Sequence, residues 1–409
     1  MTDLLRNLSG DVRQYLLVTG NYWAFTLTDG ALRMLVVLHF HGLGYSPLQI
    51  AALFLFYEIF GVLTNLFGGY LGARLGLNRT MNIGLGLPVA ALLMLTVPTA
   101  WLSIAWVMAA QALSGVAKDL NKMSAKSSIK LLVPDSQQGT LYKWVAILTG
   151  SKNALKGVGF FLGAGLLALF GFTHALLALA GVLALVWIAS LLLLKEDLGK
   201  ASGKPKFREI LSKSRAINFL SAARLFLFGA RDVWFVVALP VYLSSALGWD
   251  FWQVGGFLAL WVIGYGLVQS IAPAITGRSK AALPDGRAAC IWAVLLAGLP
   301  AVIALGLGST LSAQWVLVGG LLLFGAVFAV NSSLHSYLIV SYAKADGVSL
   351  DVGFYYMSNA LGRLLGTVLS GWVYQVYGLQ ACLWISSAFV LLAAFISLGL
   401  PRHAVECPT

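Results

Sequence analysis

Apolar stretches long enough to cross a lipid bilayer recur along almost the whole 409-residue chain. A membrane-spanning helix needs about 20 mostly apolar residues. Hydrophobic residues make up 59% of the chain and charged residues only 10%, whereas soluble domains carry about 25% charged residues. This composition excludes soluble globular and disordered proteins, and it predicts a polytopic membrane protein.

Twelve spans of about 17–26 residues can be placed on these stretches. Their approximate limits are 15–40, 47–71, 80–98, 101–119, 141–169, 173–194, 218–243, 251–275, 288–308, 312–338, 353–376 and 380–400. The one long polar interruption, residues 195–217, is rich in Lys, Gly and Ser. The sequence therefore predicts an all-α membrane protein with a six-helix bundle at 1–194, a basic cytoplasmic linker at 195–217 and a second six-helix bundle at 218–409.

Basic residues mark one side of these spans. With the N-terminus in the cytoplasm, 21 of the 27 Lys and Arg residues lie in cytoplasmic segments, six lie inside spans and none lies on the opposite side. Cytoplasmic loops of membrane proteins carry an excess of Lys and Arg. The distribution predicts a multi-pass protein with both termini in the cytoplasm.

The two halves of the chain resemble each other. LGYSPLQI at 43–50 aligns with LGWDFWQV at 247–254, which lies 204 residues later, and the same offset places Arg74 on Arg278. Six spans, a basic linker and six similar spans resemble the major facilitator architecture, which consists of two parallel pseudo-repeats.

The loop at 69–79 carries the motif of that superfamily in a modified form. Its glycines, Leu71 and both basic positions match, but Ala73 replaces the usual Asp. In the fourth span, Gln111 stands where proton-driven exporters have an Arg. These departures leave the fold prediction intact and weaken the case for a proton-antiport mechanism.

Ionisable side chains inside the spans are the candidate functional residues. A Lys or Arg at the bilayer centre costs about 2.5–3.5 kcal/mol, so each needs a reason. The cations are Arg33, Lys152, Lys156, Arg224, Arg231 and Arg363, and the acids are Asp29, Glu58 and Asp232. Neutralisation of each cation by an acid or a carbonyl is one explanation. The excess of cations favours another, a cavity that binds a multiply charged anion.

Lys152 and Lys156 give the strongest support for such an anion-binding cavity. They are one turn apart on the fifth span, where like charges repel, and an anion between them would relieve the repulsion. Arg363 falls on Lys156 when the eleventh span is aligned with the fifth at an offset of about 207. Because spans one, five, seven and eleven line the central cavity of the major facilitator fold, we expect all six cations to bind substrate. Asp29, Glu58 and Asp232 are then candidate proton-coupling or gating groups.

Several charges also have structural explanations. Asp29 and Arg33 have the i,i+4 spacing of an ion pair on one helix. Arg231 and Asp232 are adjacent, so we expect them to point in different directions and to pair across to other helices. Four lysines follow the fourth span at intervals of four residues: Lys118, Lys122, Lys126 and Lys130. We expect them to be solvated charge on a cytosolic helical extension, the alternative being an electrostatic antechamber that gathers anions.

No metal, cofactor, nucleotide or nucleic-acid site is predicted. The three cysteines Cys290, Cys382 and Cys407 are far apart, and the histidines have no metal-ligand neighbours. The glycines between 157 and 165 lie within an apolar helix, which favours close helix packing over a nucleotide loop. No motif for hydrolysis or ATP binding is present, so we expect a protein that is not an enzyme.

Four stretches resemble the ArsJ-type organoarsenical efflux permeases, at 21–50, 117–134, 141–163 and 221–243. The resemblance implies export of 1-arseno-3-phosphoglycerate across a bacterial inner membrane, and hence arsenate resistance. This compound forms when cytosolic glyceraldehyde-3-phosphate dehydrogenase uses arsenate in place of phosphate, so the resemblance also implies functional pairing with that enzyme. We expect a monomer. The residues themselves leave two alternatives open, an organic-phosphate or other organic-anion transporter or exchanger, and a non-transporting receptor or scaffold.

Overall fold

The structure is a computed structural model that describes residues 10–45, 49–50, 53–194, 198–203, 214–276 and 283–402. These ranges are almost entirely helical and contain no strand. The helices are α1 (Gly10–Gly42), α2 (Leu55–Leu75), α3 (Leu77–Met94), α4 (Ile104–Leu132), α5 (Gln138–Leu193), α6 (Arg215–Phe235), α7 (Ala238–Ser245), α8 (Phe251–Thr276), α9 (Gly286–Leu307), α10 (Ala313–Tyr342) and α11 (Val348–Ser397).

Two glycines divide the longest helices. Gly171 in α5 has φ 73° and ψ 176°, and Gly378 in α11 has φ 78° and ψ −176°. A positive φ is readily available only to glycine, so each glycine ends one helical segment and starts the next. These breaks fall between the fifth and sixth and between the eleventh and twelfth predicted spans. With α6 and α7 taken as one segment, the described chain has twelve helical segments, one for each predicted span.

The two breaks also support the predicted register of the repeat. Gly171 and Gly378 are 207 residues apart, the offset that places Arg363 on Lys156. The turns after α1 and α7 also correspond to each other. Gly44 and Gly248 are 204 residues apart, the offset that aligns 43–50 with 247–254, and both have a positive φ, 85° and 70°. Equivalent positions therefore adopt equivalent backbone conformations.

Six helical segments of the described chain are long and apolar enough to cross a membrane by length and composition. They are Gln138–Leu193, Arg215–Ser245, Trp252–Thr276, Gly286–Leu307, Ala313–Tyr342 and Val348–Ser397. The helices before Gln138 are less apolar because polar side chains interrupt them, such as Glu58 and Asn65 in α2 and the lysines of α4. The helices of the described chain that meet this apolar criterion thus all begin at Gln138 or later.

The chain divides into two compact units. The first unit comprises 1–144, 151–212 and 343–357, and the second comprises 145–150, 213–342 and 358–409. The core of the second unit is aromatic, with Trp234 packed edge-on against Trp261 and Phe324. The division at 1–194, 195–217 and 218–409 stays a prediction, and most of the predicted linker lies outside the described residues.

An asparagine occupies an equivalent position in each unit. The Asn121 side-chain amide on α4 donates to the carbonyl of Gly84 on α3 at 2.6 Å and to the carbonyl four residues earlier. The Asn331 amide on α10 donates to the carbonyl of Trp292 on α9 at 2.9 Å and again to the carbonyl four residues earlier. The same pair of hydrogen bonds therefore joins corresponding helices in the two units.

The superfamily motif at 69–79 contains a one-residue turn between two helices. Gly76, with φ 92°, separates α2 from α3. The Leu77 amide donates to the carbonyl of Leu198 at 2.7 Å, and the buried Ala73 accepts a hydrogen bond from the Ala201 amide at 2.9 Å. The described part of the predicted linker therefore packs on this loop, at the position where Ala73 replaces the usual Asp.

Candidate functional site

Asp29 lies at the centre of a buried hydrogen-bond network in the first unit. The Tyr57 hydroxyl on α2 lies 2.8 and 3.0 Å from the two carboxylate oxygens of Asp29. The Ser114 hydroxyl on α4 donates to the same carboxylate at 3.3 Å. A buried carboxylate is costly unless it is hydrogen-bonded, so these two hydroxyl groups allow α1 to carry Asp29 inside the bundle.

Arg33, one turn further along α1, pairs with Glu58. The Arg33 Nη2 to Glu58 Oε1 distance is 3.5 Å, and both side chains are about one-third exposed. The guanidinium also lies over the rings of Phe54 and Tyr57, at 4.9 and 4.8 Å. The predicted ion pair between Asp29 and Arg33 is wrong, because Tyr57 and Ser114 bind Asp29 while the long Arg33 side chain reaches the acid on α2.

Lys152 and Lys156 lie on the part of α5 that packs against α1. Both are half-buried, and the Lys152 Nζ donates to Asn153 Oδ1 at 3.3 Å. The Trp23 indole of α1 donates to the Ser151 hydroxyl at 2.7 Å, which fixes this part of α5 against α1. The first unit thus holds Arg33, Lys152 and Lys156 on two helices in contact.

Small residues set the distance between these two helices. A Cβ on Gly30 would lie 2.6 Å from the Lys156 carbonyl, and one on Gly163 would collide with the carbonyl of Ala31. Small residues allow helix backbones to approach closely. The predicted packing role of the glycines near residue 160 is therefore confirmed for Gly163, whereas Gly165 faces open space.

In the second unit, two arginines bind one carboxylate. Asp232 on α6 is fully buried. It accepts a hydrogen bond from Arg231 Nε at 2.6 Å and one from Arg363 Nε of α11 at 3.0 Å. Arg363 pairs across to a second helix. Arg231 was expected to point away from Asp232 because the two residues are adjacent in the chain. That expectation is wrong, because the long Arg231 side chain folds back onto Asp232.

Arg224 lies two turns before Arg231 on the same helix. Its guanidinium stacks on the ring of Phe228 at 3.8 Å, and Arg231 lies over the same ring at 5.1 Å. The Arg224 Nη1 also donates to the carbonyl of Ser332 on α10 at 3.3 Å. Cation–π contacts of this kind contribute about 2 kcal/mol or more when desolvated, so Phe228 supports the buried Arg224 and the half-buried Arg231.

Close packing also brings Arg363 to Asp232. A Cβ on Gly366 would lie 2.6 Å from the carbonyl of Gly229 and 3.0 Å from the Cβ of Asp232, and one on Gly362 would collide with the carbonyl of Leu225. The α6 and α11 backbones therefore approach closely one turn from Arg363. Gly366 follows Arg363 by three residues, and Gly159 follows Lys156 by three residues. The two glycines are therefore related by the same offset of 207 residues.

The lysines of α4 are the largest departure from expectation. Lys126 and Lys130 are buried, and the Lys118 and Lys122 side chains are only 13% and 14% exposed. The prediction of solvated charge on a cytosolic extension is therefore wrong. Polar side chains continue the helix to Leu132, and they are buried along this extension.

Asp119, the last residue of the fourth predicted span, is buried among these lysines. Its carboxylate lies 2.5 Å from the Lys122 Nζ and 3.7 Å from the Lys118 Nζ. Sequence reasoning counted three buried acids and missed this one. Periodicity could have found it, because Asp119 falls on the same helical stripe as Gly115 and Lys122.

No group of three or more His, Cys, Asp or Glu side chains in the described part of the chain could hold a metal ion. Cys290 and Cys382 are free thiols, and Cys407 lies outside the described residues. His39 stacks on Phe172, with ring centroids 3.8 Å apart.

The sequence profile of the Major Facilitator Superfamily matches residues 16–350. The chain belongs to this superfamily. It is accordingly a multi-pass membrane protein with the fold of a transporter, as predicted. No curated protein sequence matches the chain significantly.

Solved structures of the superfamily share this fold. The human organic anion transporter MFSD10 aligns with a TM-score of 0.75 and 18% identity over 95% of this chain and 100% of its own. A bacterial homologue of the iron transporter ferroportin, in an outward-facing state, aligns with a TM-score of 0.71 and 17% identity. The alignment covers 94% of this chain and 98% of the homologue. The E. coli fucose:proton symporter FucP aligns with a TM-score of 0.73 and 11% identity, over 95% of this chain and 99% of its own. At these identities the likeness shows the fold alone.

Proposed function

We propose that this superfamily member exports the organoarsenical 1-arseno-3-phosphoglycerate from the cytoplasm by alternating access. The observation that carries an anionic cargo is the set of three guanidinium groups of the second unit: Arg231 and Arg363 bind the carboxylate of Asp232, and Arg224 lies over the same Phe228 ring as Arg231. The resemblance of 141–163 and 221–243 to ArsJ-type permeases supports this particular cargo.

The cargo carries a phosphate at one end and an arsenate at the other. Guanidinium groups bind such oxyanions through two parallel hydrogen bonds, and ammonium groups act as point charges. We assign Arg33, Lys152 and Lys156 of the first unit and Arg231 and Arg363 of the second to the two anionic ends. Arg224, buried on Phe228, is assigned to an inner gate.

Asp232 explains how these arginines are held without cargo. Two guanidinium groups bound to one carboxylate keep an excess of positive charge, so an incoming oxyanion competes with Asp232 for them. When the anion leaves, Asp232 pairs with both arginines again, which favours release. Asp29 and Glu58 are the corresponding candidate proton-coupling or gating groups of the first unit.

The membrane potential supports the direction of transport. A negative-inside potential favours the exit of an anion by about 2.3 kcal/mol per charge per 100 mV, so export does not require proton coupling. We place the protein in a bacterial inner membrane as a monomer with both termini in the cytoplasm. It would act with cytosolic glyceraldehyde-3-phosphate dehydrogenase, which makes the cargo.

Arsenate tolerance tests this proposal. An arsenate-sensitive bacterium should become tolerant when it expresses the chain together with the dehydrogenase, and it should stay sensitive with either protein alone. Replacing Lys152 and Lys156 by Ala should abolish tolerance, whereas Lys143→Ala, which removes an exposed cation from the same helix, should not. Tolerance that survives the double substitution would contradict the anion site and favour a receptor or scaffold.

An organic-phosphate or other organic-anion transporter or exchanger is the second candidate. The same cations would bind an ordinary phosphate ester, and the structurally similar MFSD10 transports organic anions. Uptake into everted vesicles separates the two candidates. Accumulation that requires arsenate, the dehydrogenase and its substrates supports the organoarsenical, whereas equal transport of 3-phosphoglycerate would exclude it as the specific cargo.

A further inference from the structure

Two buried polar side chains of the second unit make no hydrogen bond within the described part of the chain. His335 on α10 is 0% exposed, and both of its ring nitrogens are without a partner there. Ser221 on α6 is 1% exposed, and the same holds for its hydroxyl group. Buried polar groups of native proteins are nearly always hydrogen-bonded, so these two side chains need an explanation.

The contacts between α6 and α10 give the register in which the two helices face each other. The Phe228 ring of α6 lies 5.1 Å from the Phe328 ring of α10, measured between centroids. One turn earlier on α6, the Arg224 Nη1 donates to the carbonyl of Ser332, which is one turn later on α10. The two helices therefore run antiparallel, and each turn towards the start of α6 faces the next turn towards the end of α10.

The next turn of this register brings the unpartnered hydroxyl group and imidazole together. Ser221 precedes Arg224 by three residues and His335 follows Ser332 by three, so each continues the facing stripe of its helix. The Arg224 guanidinium is also close enough to the imidazole to act on it electrostatically. Ser221 and His335 make no hydrogen bond with each other, so a group between them would find a hydrogen-bonding atom on both sides.

The chemistry of these side chains suits an oxyanion. A guanidinium group binds phosphate-like oxygens, a serine hydroxyl can donate one hydrogen bond, and an imidazole can donate from one ring nitrogen. A single water could also bridge Ser221 and His335. The neighbouring guanidinium favours an anion, because a positive charge in a medium of low dielectric constant attracts an anion strongly.

We propose that Ser221, Arg224 and His335 form an oxyanion-binding subsite for the cargo in the second unit. The subsite rests on the proposed transport of an anion, and it adds two ligands to Arg224, the residue assigned to the inner gate. It lies towards the start of α6 and the end of α10, the ends that the basic segments predict to be cytoplasmic. Cargo from the cytoplasm would therefore meet this subsite before it reaches Arg231.

Nitrogen NMR of the imidazole rings tests the subsite directly. The full chain, with its histidines isotopically labelled at the ring nitrogens, is reconstituted in lipid bilayers and titrated with inorganic phosphate at constant ionic strength against chloride. His335→Gln identifies the signals of His335 among the five histidines of the chain. We expect these signals to shift saturably with phosphate and not with chloride. The signals of His39, which stacks on Phe172 in the first unit, serve as the internal reference.

Two serine variants separate binding from folding. Ser221→Ala removes a hydroxyl group from the subsite and should weaken phosphate binding at His335 roughly tenfold, or about 1.4 kcal/mol. Ser333→Ala is the matched control, because Ser333 is also buried and its hydroxyl group also lacks a partner in the described chain. Ser333 lies two residues before His335 and hence on another side of α10, so its substitution should leave binding unchanged. Both variants should unfold at the temperature of the unsubstituted chain.

The subsite is overturned if the His335 signals do not respond to phosphate, which would assign the position to a water only. It is also overturned if chloride shifts them equally, or if Ser221→Ala binds phosphate as tightly as Ser333→Ala. Arsenate tolerance is scored separately. A chain that binds phosphate at His335 but confers no tolerance retains the subsite and refutes the organoarsenical cargo. Tolerance with unresponsive His335 signals supports export and refutes the subsite.

Discussion

The Tyr57 hydroxyl lies within hydrogen-bonding distance of both carboxylate oxygens of Asp29, 2.8 and 3.0 Å away. Tyr57 is also the ring on which Arg33 and Lys118 lie, from α1 and α4 respectively. One side chain of α2 therefore links an acid and two cations that come from two other helices. This arrangement makes Tyr57 the structural centre of the charged network in the first unit.

Tyr57→Phe should destabilise the protein because it leaves Asp29 buried with one donor fewer. Loss of a hydrogen bond to a buried charged group costs about 1–3 kcal/mol. The measurement is the apparent midpoint of thermal unfolding in nanodiscs. Tyr377→Phe removes a hydroxyl from a tyrosine that is 67% exposed and serves as the control. Equal midpoints for the two variants would show that the hydroxyl contributes nothing to stability.

Asp232→Asn should be strongly destabilising because it leaves Arg231 and Arg363 without the carboxylate that both bind. Removing one partner of a buried ion pair costs about 3–5 kcal/mol. Adding Arg363→Gln should recover part of the loss, since one of the two uncompensated charges is then gone. A double-mutant cycle on the unfolding midpoint measures this coupling, and strictly additive effects would contradict it.

Gly163→Ala should destabilise the contact between α1 and α5, whereas Gly165→Ala should not. The added methyl group at 163 would collide with the carbonyl of Ala31, and the one at 165 meets nothing within 4 Å. At 165 the substitution should even stabilise the helix by up to about 1 kcal/mol, because alanine is the better helix former. Thermal unfolding of the two variants compares them directly, and similar effects would refute the close approach.

Asp135 should contribute pH-dependent stability. The Lys130 ammonium donates to its carboxylate at 2.8 Å, and this hydrogen bond with the accompanying charge holds the pKa of Asp135 below its ordinary value of 3.8. A lowered folded pKa means that the contribution is present above the unfolded pKa and is lost as the pH falls through the folded one. Asp135→Asn should therefore lower the unfolding midpoint at pH 7, and the difference should shrink below about pH 4.

Lys130→Gln provides the matched background for that comparison. Without the ammonium, the pKa of Asp135 returns towards its ordinary value. Asp135→Asn should then change the unfolding midpoint little at either pH. A difference that persists in this background would assign the effect to another partner of Asp135.

The positions of the helical segments could be read from the sequence because hydropathy is a local property. Apolar length alone placed twelve spans, and Gly171 and Gly378 separate two pairs of them as expected. The repeat was also readable, because Lys156 and Arg363 occupy one register with the two break glycines. The resemblance to the superfamily followed from the same features, with six predicted spans on either side of a predicted basic linker.

The partners of the charged residues were decided only by the tertiary structure. Spacing predicted an ion pair between Asp29 and Arg33, but Asp29 binds Tyr57 and Ser114, which lie 28 and 85 residues away in the chain. The lysines of α4 are a second example, because their spacing predicted a solvated helix face and the structure buries them. Burial and pairing depend on which helices pack together, and hydropathy along a single helix holds no information about its neighbours. The sequence by itself therefore determined where the chain is helical and where its charges are, and packing determined which charges meet.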